Sequence, residues 1–563
     1  MKNFFQKYGW LVLALFAFFF LLGSRSLNEP DEGRYGEIAR EMVQTGDWIV
    51  PHLWYLPHLD KPPMTYWLVA ISIKLFGPNE WAVRLPVALA GISGIFATFL
   101  LGCSIGGRKV GVWSALILQS SLLYFLMSRF LTTDIFLTQF ITWAIYFFWR
   151  SWQTIAQNET PGSEFFKWHL AGWIAIAFAF LTKGPIALAI PLVTFAALAI
   201  FRRQKISSKK TLVAGLFAGF ALFLILAAPW FLIVFQRVPD SAHYMILGQA
   251  AGHLLGTTIK NRTGSFFYFF GILAAGLLPW TILLGWLWRK NHWRNLDGTA
   301  KDAWLLLNVW AIFTFALFSL SHAKLPAYIL PIFPALAVML ALRFFSGEKF
   351  PSETLAFGCL AVAFAAPITF PPLLKFIFGD ELPLFLKWQM PIVIAVAAAV
   401  LLTAQKWKSK TIAAGAVIMT LIGFLIVAAE VPRFETTFKA NQTFKPLAIA
   451  LKDNFQPGDA IVCFGKFPEG LPFYAGDAIS PTNRPYLCRV DVTQVPFEFP
   501  GNRERIGDFY LPDVPALVKL LQSDRRVWVI SFSNYIESFE QFHPEAQLHP
   551  VKRVGRWELA VNR

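Results

Sequence analysis

Apolar residues along this chain fall into long runs separated by short polar stretches. The runs lie near 9–25, 84–102, 111–127, 135–150, 169–182, 185–201, 211–235, 266–288, 303–320, 326–344, 354–372, 388–404 and 411–429. A bilayer crossing takes about 20 apolar residues, so the pattern predicts thirteen membrane spans. The first run follows MKNFFQKYGW and reads as an uncleaved first span, because no small-residue cleavage site precedes Asp31. Beyond residue 430 the period changes. AIVCFG (460–465) and RVWVISFS (526–533) read as buried strands, and VPALVKLLQ (514–522) as an amphipathic helix. The fold class predicted is an α-helical integral membrane protein with a C-terminal soluble α/β domain, divided at 1–430 and 431–563.

Residues 26–83, between the first two spans, are too long for a simple connector. Asp31 is placed to cap a helix through about Thr45, with Glu32 in its first turn opposing the helix dipole. Ile38 and Met42 share one face of that helix, and Arg34, Glu37 and Glu41 another. The Trp- and His-bearing stretch HLWYLPHL (52–59) follows, then Asp60-Lys61-Pro62-Pro63. The pattern predicts a helix lying on the membrane surface with aromatic residues, and His52 and His58, at headgroup level.

Charge orients these spans. With a cytoplasmic N-terminus, every predicted inner loop is basic: Lys2 and Lys7, Arg108 and Lys109, Arg150 and Lys167, the cluster from Arg202 to Lys210, the cluster from Arg289 to Lys301, Arg343 with Lys349, and Lys406, Lys408 and Lys410. This is the positive-inside pattern. It places residues 26–83 and the tail on the outer face of an inner (cytoplasmic) membrane. Composition agrees: 56% hydrophobic and 15% charged residues, with mean hydropathy +0.51, cannot cover a protein in water alone. The net charge of +16 resides in these short clusters, so no nucleic-acid partner is expected. Cys463 and Cys488 both fall in the exported tail, where a disulfide between them is one of two open readings.

Polar residues next to spans gather on the outer side. They are Asp31, Glu32, Arg34, Tyr35, Asp60 and Lys61 in the first loop, Arg129 and Asp134 in SRFLTTDIF, and Lys183 in TKGP. Arg262 in KNRTG, and His322, Lys324 and Tyr328 in SHAKLPAYILP, complete the set. Each has an ordinary reading. Lys183 and Lys324 alone read as snorkelling lysines, Asp134 as a partner of Arg129, and Arg34 as a helix-surface partner of Glu37 or Glu41. Charges at membrane depth are costly and face a cavity or a partner, so their co-location points to chemistry. Two acids among several cations suit transfer of a sugar from a lipid phosphate. The cations stabilise the departing phosphate oxyanion, and a carboxylate deprotonates the acceptor or opposes charge on the sugar ring.

PDEGRYGEIAREMVQTGDWIVPHLWYLPHLDKPPMTYWL (30–68), with RFLTTD (129–134), TKGP (182–185), LLPW (277–280) and KLPAYILP (324–331), resembles the aminoarabinose–lipid A transferase and protein O-mannosyltransferase superfamily of GT-C membrane glycosyltransferases. The resemblance implies a transferase using an undecaprenyl-phosphate-type sugar donor and a glycolipid, polymer or protein acceptor. It implies Asp31 as the catalytic carboxylate and Asp134 as a second essential acid, with Arg34, Lys61, Lys324 and Tyr328 around the donor. Asp60 stands where many relatives carry Glu. Some relatives bind zinc through that acid and a His after the seventh span; here ILGQAAGHLLG (246–256) offers a displaced His253, and no cofactor is expected. A lipid-linked glycan ligase or polymerase would place its chemistry in a large central outer loop. A transporter or flippase would show inverted repeats.

Overall fold

The structure, a computed structural model, describes residues 16, 18–157, 162–246, 264–287, 298–345, 443–489, 499 and 501–563. Its contacts divide the chain into two compact units. One comprises Met1–Leu22, Val87–Leu232 and Leu247–Glu430; the other comprises Gly23–Pro86, Ile233–Ile246 and Val431–Arg563.

The first unit is helical. Among the described residues, five helices are long and apolar enough to cross a membrane: Glu80–Gln119, Ser163–Lys183, Lys209–Arg237, Gly298–Leu320 and Pro326–Phe344. The expected runs at 84–102 and 111–127 are joined in Glu80–Gln119, with a break at Gly107, whose φ of 81° suits a residue without a Cβ. The helix Thr133–Gln157 outruns its expected span at both ends. The run at 266–288 is broken into Tyr268–Gly276, a 3-10 turn Trp280–Leu283, and Leu284–Leu287. The run at 326–344 opens as a 3-10 turn to Ile332, because Pro331 cannot donate to the preceding turn. The expected spans at 354–372, 388–404 and 411–429 lie outside the described residues. Close helix packing sets the turn that carries Asp134. Gly91 and Gly94 admit Ser128 and the Tyr124 hydroxyl, which donates to Gly91 O at 2.8 Å. The LLPW segment buttresses the same turn: Trp280 Nε1 donates to Ser120 Oγ at 3.0 Å and Leu122 N to Leu278 O at 3.1 Å.

The second unit joins the first loop to the C-terminal residues, which differs from the division read off hydropathy. The helix Asp31–Thr45 forms as expected but is buried from Glu32 to Met42 on all faces, so it is not a surface helix. It packs on the hairpin β1 (His52–Leu53) and β2 (Leu56–Pro57). The two residues between these strands, Trp54 and Tyr55, have φ of 56° and 60°. Positive φ is normally left to glycine or asparagine in such a turn. Here the Glu41 carboxylate holds it, accepting from Trp54 N at 2.6 Å and Tyr55 N at 2.9 Å. The aromatics are therefore interior: Trp54 packs against Phe467 with ring centroids 4.4 Å apart and donates to Glu469 O at 3.2 Å.

The C-terminal sheet contains β3 (Ala460–Phe464), β4 (Tyr486–Cys488), β5 (Tyr510–Leu511), β6 (Val527–Phe532), β7 (His549–Val554) and β8 (Trp557–Val561). Their order is β5-β4-β3-β6-β8-β7. The first four strands run parallel, and β8 joins β6 antiparallel. The expected strands and the helix Val514–Leu521 are all present, and Asp513 caps that helix through Ala516 N at 2.9 Å. Cys463 pairs in register with Leu487 and Cys488 with Phe464. Neighbouring residues of a strand point to opposite faces, so the two cysteines lie on opposite sides of the sheet. Both thiols are free.

Candidate active site

In the second unit, the chain enters the helix Asp31–Thr45 through Pro30, which is the cap residue and makes no side-chain cap bond. Asp31 is thus the first helical residue and not the cap expected from sequence. Its carboxylate is half-buried and has no hydrogen bond or ion pair among the described residues. The next residue is the opposite case. Glu32 is fully buried and receives Arg25 at 2.5 and 2.9 Å, Arg84 at 2.9 and 2.8 Å, and Asn28 N at 3.0 Å. Burial alone would raise its pKa, but the Arg25 and Arg84 guanidiniums hold it well below the usual carboxylate range. Glu32 therefore anchors the loop and has no oxygen left for substrate.

Arg34 pairs through Nε with Glu469, in place of the expected Glu37 or Glu41. Glu37 takes Arg40 at 2.7 Å. The Arg34 side chain has no other hydrogen bond among the described residues, so its terminal nitrogens are available. Asp60 and Lys61 pair at 3.0 Å, with side chains 20% and 17% exposed. Burial opposes ionisation of Asp60, but Lys61 and Arg34 hold its carboxyl well below its ordinary range. Tyr35 is buried against Tyr66 at 5.6 Å, and burial raises the pKa of its phenol. Sequence reasoning placed His58 at an interface and passed over Tyr66. Both are buried, and His58 Nε2 and Tyr66 Oη have no hydrogen-bond partner among the described residues. Burial pushes the His58 imidazole down to about 3, so it is neutral at physiological pH. Neither residue carries a sequence signal beyond its type.

In the first unit, Asp134 opens the helix Thr133–Gln157 and is 5% exposed. Its partner is Lys183 at 2.5 Å, not Arg129. Lys183 ends the helix Ser163–Lys183, and its ammonium lies 4.3 Å from the centre of the Tyr328 ring. The Thr-Lys-Gly-Pro motif thus delivers a cation to Asp134 and Tyr328, which overturns the snorkelling reading. Arg129 donates to Phe18 O at 3.0 Å and Phe20 O at 2.6 Å; it tethers the end of the first apolar run. Lys324 is also buried, donating to Phe318 O at 2.9 Å and Ser319 O at 2.6 Å. An ammonium has three donors, so one remains. Gly264 lies against its stem, where a Cβ would meet Cγ at 2.8 Å. His322 is exposed. Arg262 and His253 lie outside the described residues.

Among the described residues no group of three or more His, Cys, Asp and Glu side chains could hold a metal ion. Asp60, the acid that the resemblance places at a metal position, is paired with Lys61.

Residues 60–233 match the dolichyl-phosphate-mannose-protein mannosyltransferase family. The chain is 34% identical over 337 residues to the undecaprenyl phosphate-alpha-4-amino-4-deoxy-L-arabinose arabinosyl transferase of Edwardsiella ictaluri, and the aligned part is 59% of each protein. It is 34% identical over 341 residues to the protein so named in Aeromonas hydrophila, again over 59% of each. The chain thus matches about three fifths of the length of these curated relatives. Its fold superposes with a TM-score of 0.79 on ArnT from Cupriavidus metallidurans, a structure bound to undecaprenyl phosphate, covering 99% of this chain and 98% of that one at 23% identity. The match extends through the C-terminal sheet as well as the apolar helices, so the GT-C architecture with an α/β tail and a multi-pass membrane character are shown. In its matched residues this chain is thus similar to these transferases, and over its whole length it shares the fold of that ArnT structure.

Proposed function

We propose that this protein is a glycosyltransferase. It moves a hexosyl or pentosyl group from undecaprenyl phosphate to an envelope acceptor, a glycolipid such as lipid A, at the outer face of the inner membrane. The observation that carries this reading is the Asp31 carboxylate, half-buried on the first turn of a helix and without a partner among the described residues. Ion pairs or backbone donors occupy Glu32, Glu37, Glu41 and Asp60 nearby, so Asp31 is the acid in that row left to meet a substrate. The likeness to the arabinosyl transferases supports the donor class.

In this reaction Asp31 accepts the proton of the acceptor hydroxyl as its oxygen bonds to the anomeric carbon. The bond from that carbon to the phosphate oxygen breaks, and the phosphate leaves with the electron pair. Fixed cations stabilise the growing negative charge in a water-poor site. The candidates are Arg34 through its free terminal nitrogens, Lys61, and Lys324 through its third donor. Asp134 acts as the second required acid, fixed by Lys183. Arg129 supports its turn, and Tyr328 stands beside Lys183.

The test supplies purified protein in lipid with radiolabelled undecaprenyl-phosphate sugar and envelope glycolipid. Release of undecaprenyl phosphate matched by label in the glycolipid is expected. Label moving across the bilayer with no release of undecaprenyl phosphate would identify a transporter and overturn the reading.

A further inference from the structure

Glu29, two residues before Asp31, belongs to neither the sequence motif nor the chemistry above. Both of its carboxyl oxygens are sealed from solvent, and neither has a hydrogen-bond partner among the described residues. The carboxyl occupies a slot made by two glycines. A Cβ on Gly33 or on Gly470 would fall 2.0 Å from Oε1, and one on Gly470 would also strike Gly33 Cα at 2.7 Å. The slot is thus closed by backbone and admits no further side chain. The charged groups that face Glu29 are Glu469 and Asp31, both acids, and Arg34, which is already paired with Glu469. The Gly470 backbone is the one dipole there that favours charge. A carboxylate closed off from water and beside two other acids, with only the Gly470 backbone and the already paired Arg34 favouring its charge, is disfavoured and takes up a proton.

We propose that Glu29 is a positioning residue whose proton sets the charge an anionic ligand meets at Arg34. The proposal rests on the reading that Arg34 meets the donor phosphate. With Glu29 neutral, the group of Glu29, Asp31, Arg34 and Glu469 carries one net negative charge. When the proton leaves to solvent it carries two. Burial and the acidic neighbours raise the Glu29 pKa well above the usual carboxylate range. A raised folded-state pKa contributes stability that is complete below the ordinary carboxylate pKa and is lost as pH rises through the raised value. Affinity for an anion and thermal stability therefore fall together as pH rises.

The experiment uses the full chain in lipid nanodiscs, with undecaprenyl phosphate as the probe, from about pH 5 to about pH 9. Binding and melting temperature are measured for wild type and Glu29→Gln, which carries the neutral shape permanently. Wild type is expected to lose about tenfold in affinity across this range, the scale of one added charge close to an anion, and to melt progressively lower. Glu29→Gln is expected to hold both values nearly level. If Gln prevents accumulation, Glu29→Met, neutral and similarly long, takes its place. Parallel pH profiles for wild type and variant overturn the proposal. So does a variant that melts lower by the same margin at every pH, since that is a purely structural role. A wild type that binds no undecaprenyl phosphate at any pH, with melting curves that still diverge, overturns the donor reading and the ligand part of this proposal together, while the divergence identifies Glu29 as the titrating group.

Discussion

Asp31 and Glu32 are adjacent acids with opposite situations, and a single substitution at each separates chemistry from scaffolding. Asp31 makes no cap bond, so Asp31→Asn removes charge without removing a structural contact. Transfer by this variant is expected to fall about 100-fold or more, with a melting temperature within about a degree or two of wild type. Near-normal transfer would remove Asp31 as the base. Glu32→Gln is expected to do the reverse, leaving the buried Arg84 and the neighbouring Arg25 without their counter-charge. The loss should be about 3–5 kcal/mol of stability at neutral pH. The sign of the acid response follows from the same pair. The folded-state pKa of Glu32 is depressed, so its stabilisation is present above the ordinary glutamate pKa of about 4.3. It is lost as pH falls below that toward the folded value. Wild-type melting temperature should therefore drop below about pH 4, and Glu32→Gln should flatten that limb. An equally steep limb in the variant would assign acid sensitivity to other carboxylates, Asp60 first.

At the scale of elements, the hairpin of β1 and β2 shows how one side chain can enforce an unfavourable backbone. Trp54 and Tyr55 both have positive φ, a conformation that costs about 1–2 kcal/mol for each such residue. Glu41 offsets that cost by accepting both of their amides. Glu41→Ala would leave two buried N–H groups unsatisfied at a strained turn, so a loss of about 2–4 kcal/mol is expected. Calorimetry of the purified variant reads it. A loss under about half a kcal/mol would mean that the packing of Trp54 against Phe467 holds the turn unaided. The helix itself was legible from its acidic start and its apolar spacing. Its burial was not, because Arg34, Glu37 and Glu41 read as a solvated face when their partners are unknown. Those partners are Glu469, Arg40 and the turn amides.

For the whole molecule, the alternation of basic loops predicts its disposition in the membrane. Reporters fused after residues 206 and 296 are expected in the cytoplasm, and those after residues 46 and 500 outside. A cytoplasmic reporter at 500 would imply an even number of spans and would move the C-terminal sheet away from the outer face. The grouping of Gly23–Pro86 with Val431–Arg563 in one unit agrees with fusions at 46 and 500 reporting the same side.

Much of the architecture was decided by local pattern alone. Runs of apolar residues specify helices that cross lipid, because a span must satisfy its own backbone hydrogen bonds. The largely apolar stretches at 460–464 and 527–532 specify strands buried on both faces, as a parallel sheet requires. Co-location on the predicted outer side also singled out Asp31, Asp134, Lys61 and Lys183 as candidates. Tertiary structure alone decided which charge meets which. Arg34 reaches Glu469 across 435 residues, and Lys183 reaches Asp134 across 49. Periodicity records which face of an element is apolar, but an ion pair depends on the approach of two elements. For that reason Asp31 stands without a partner among the described residues, and Glu32 as the anchor, only once the chain is folded.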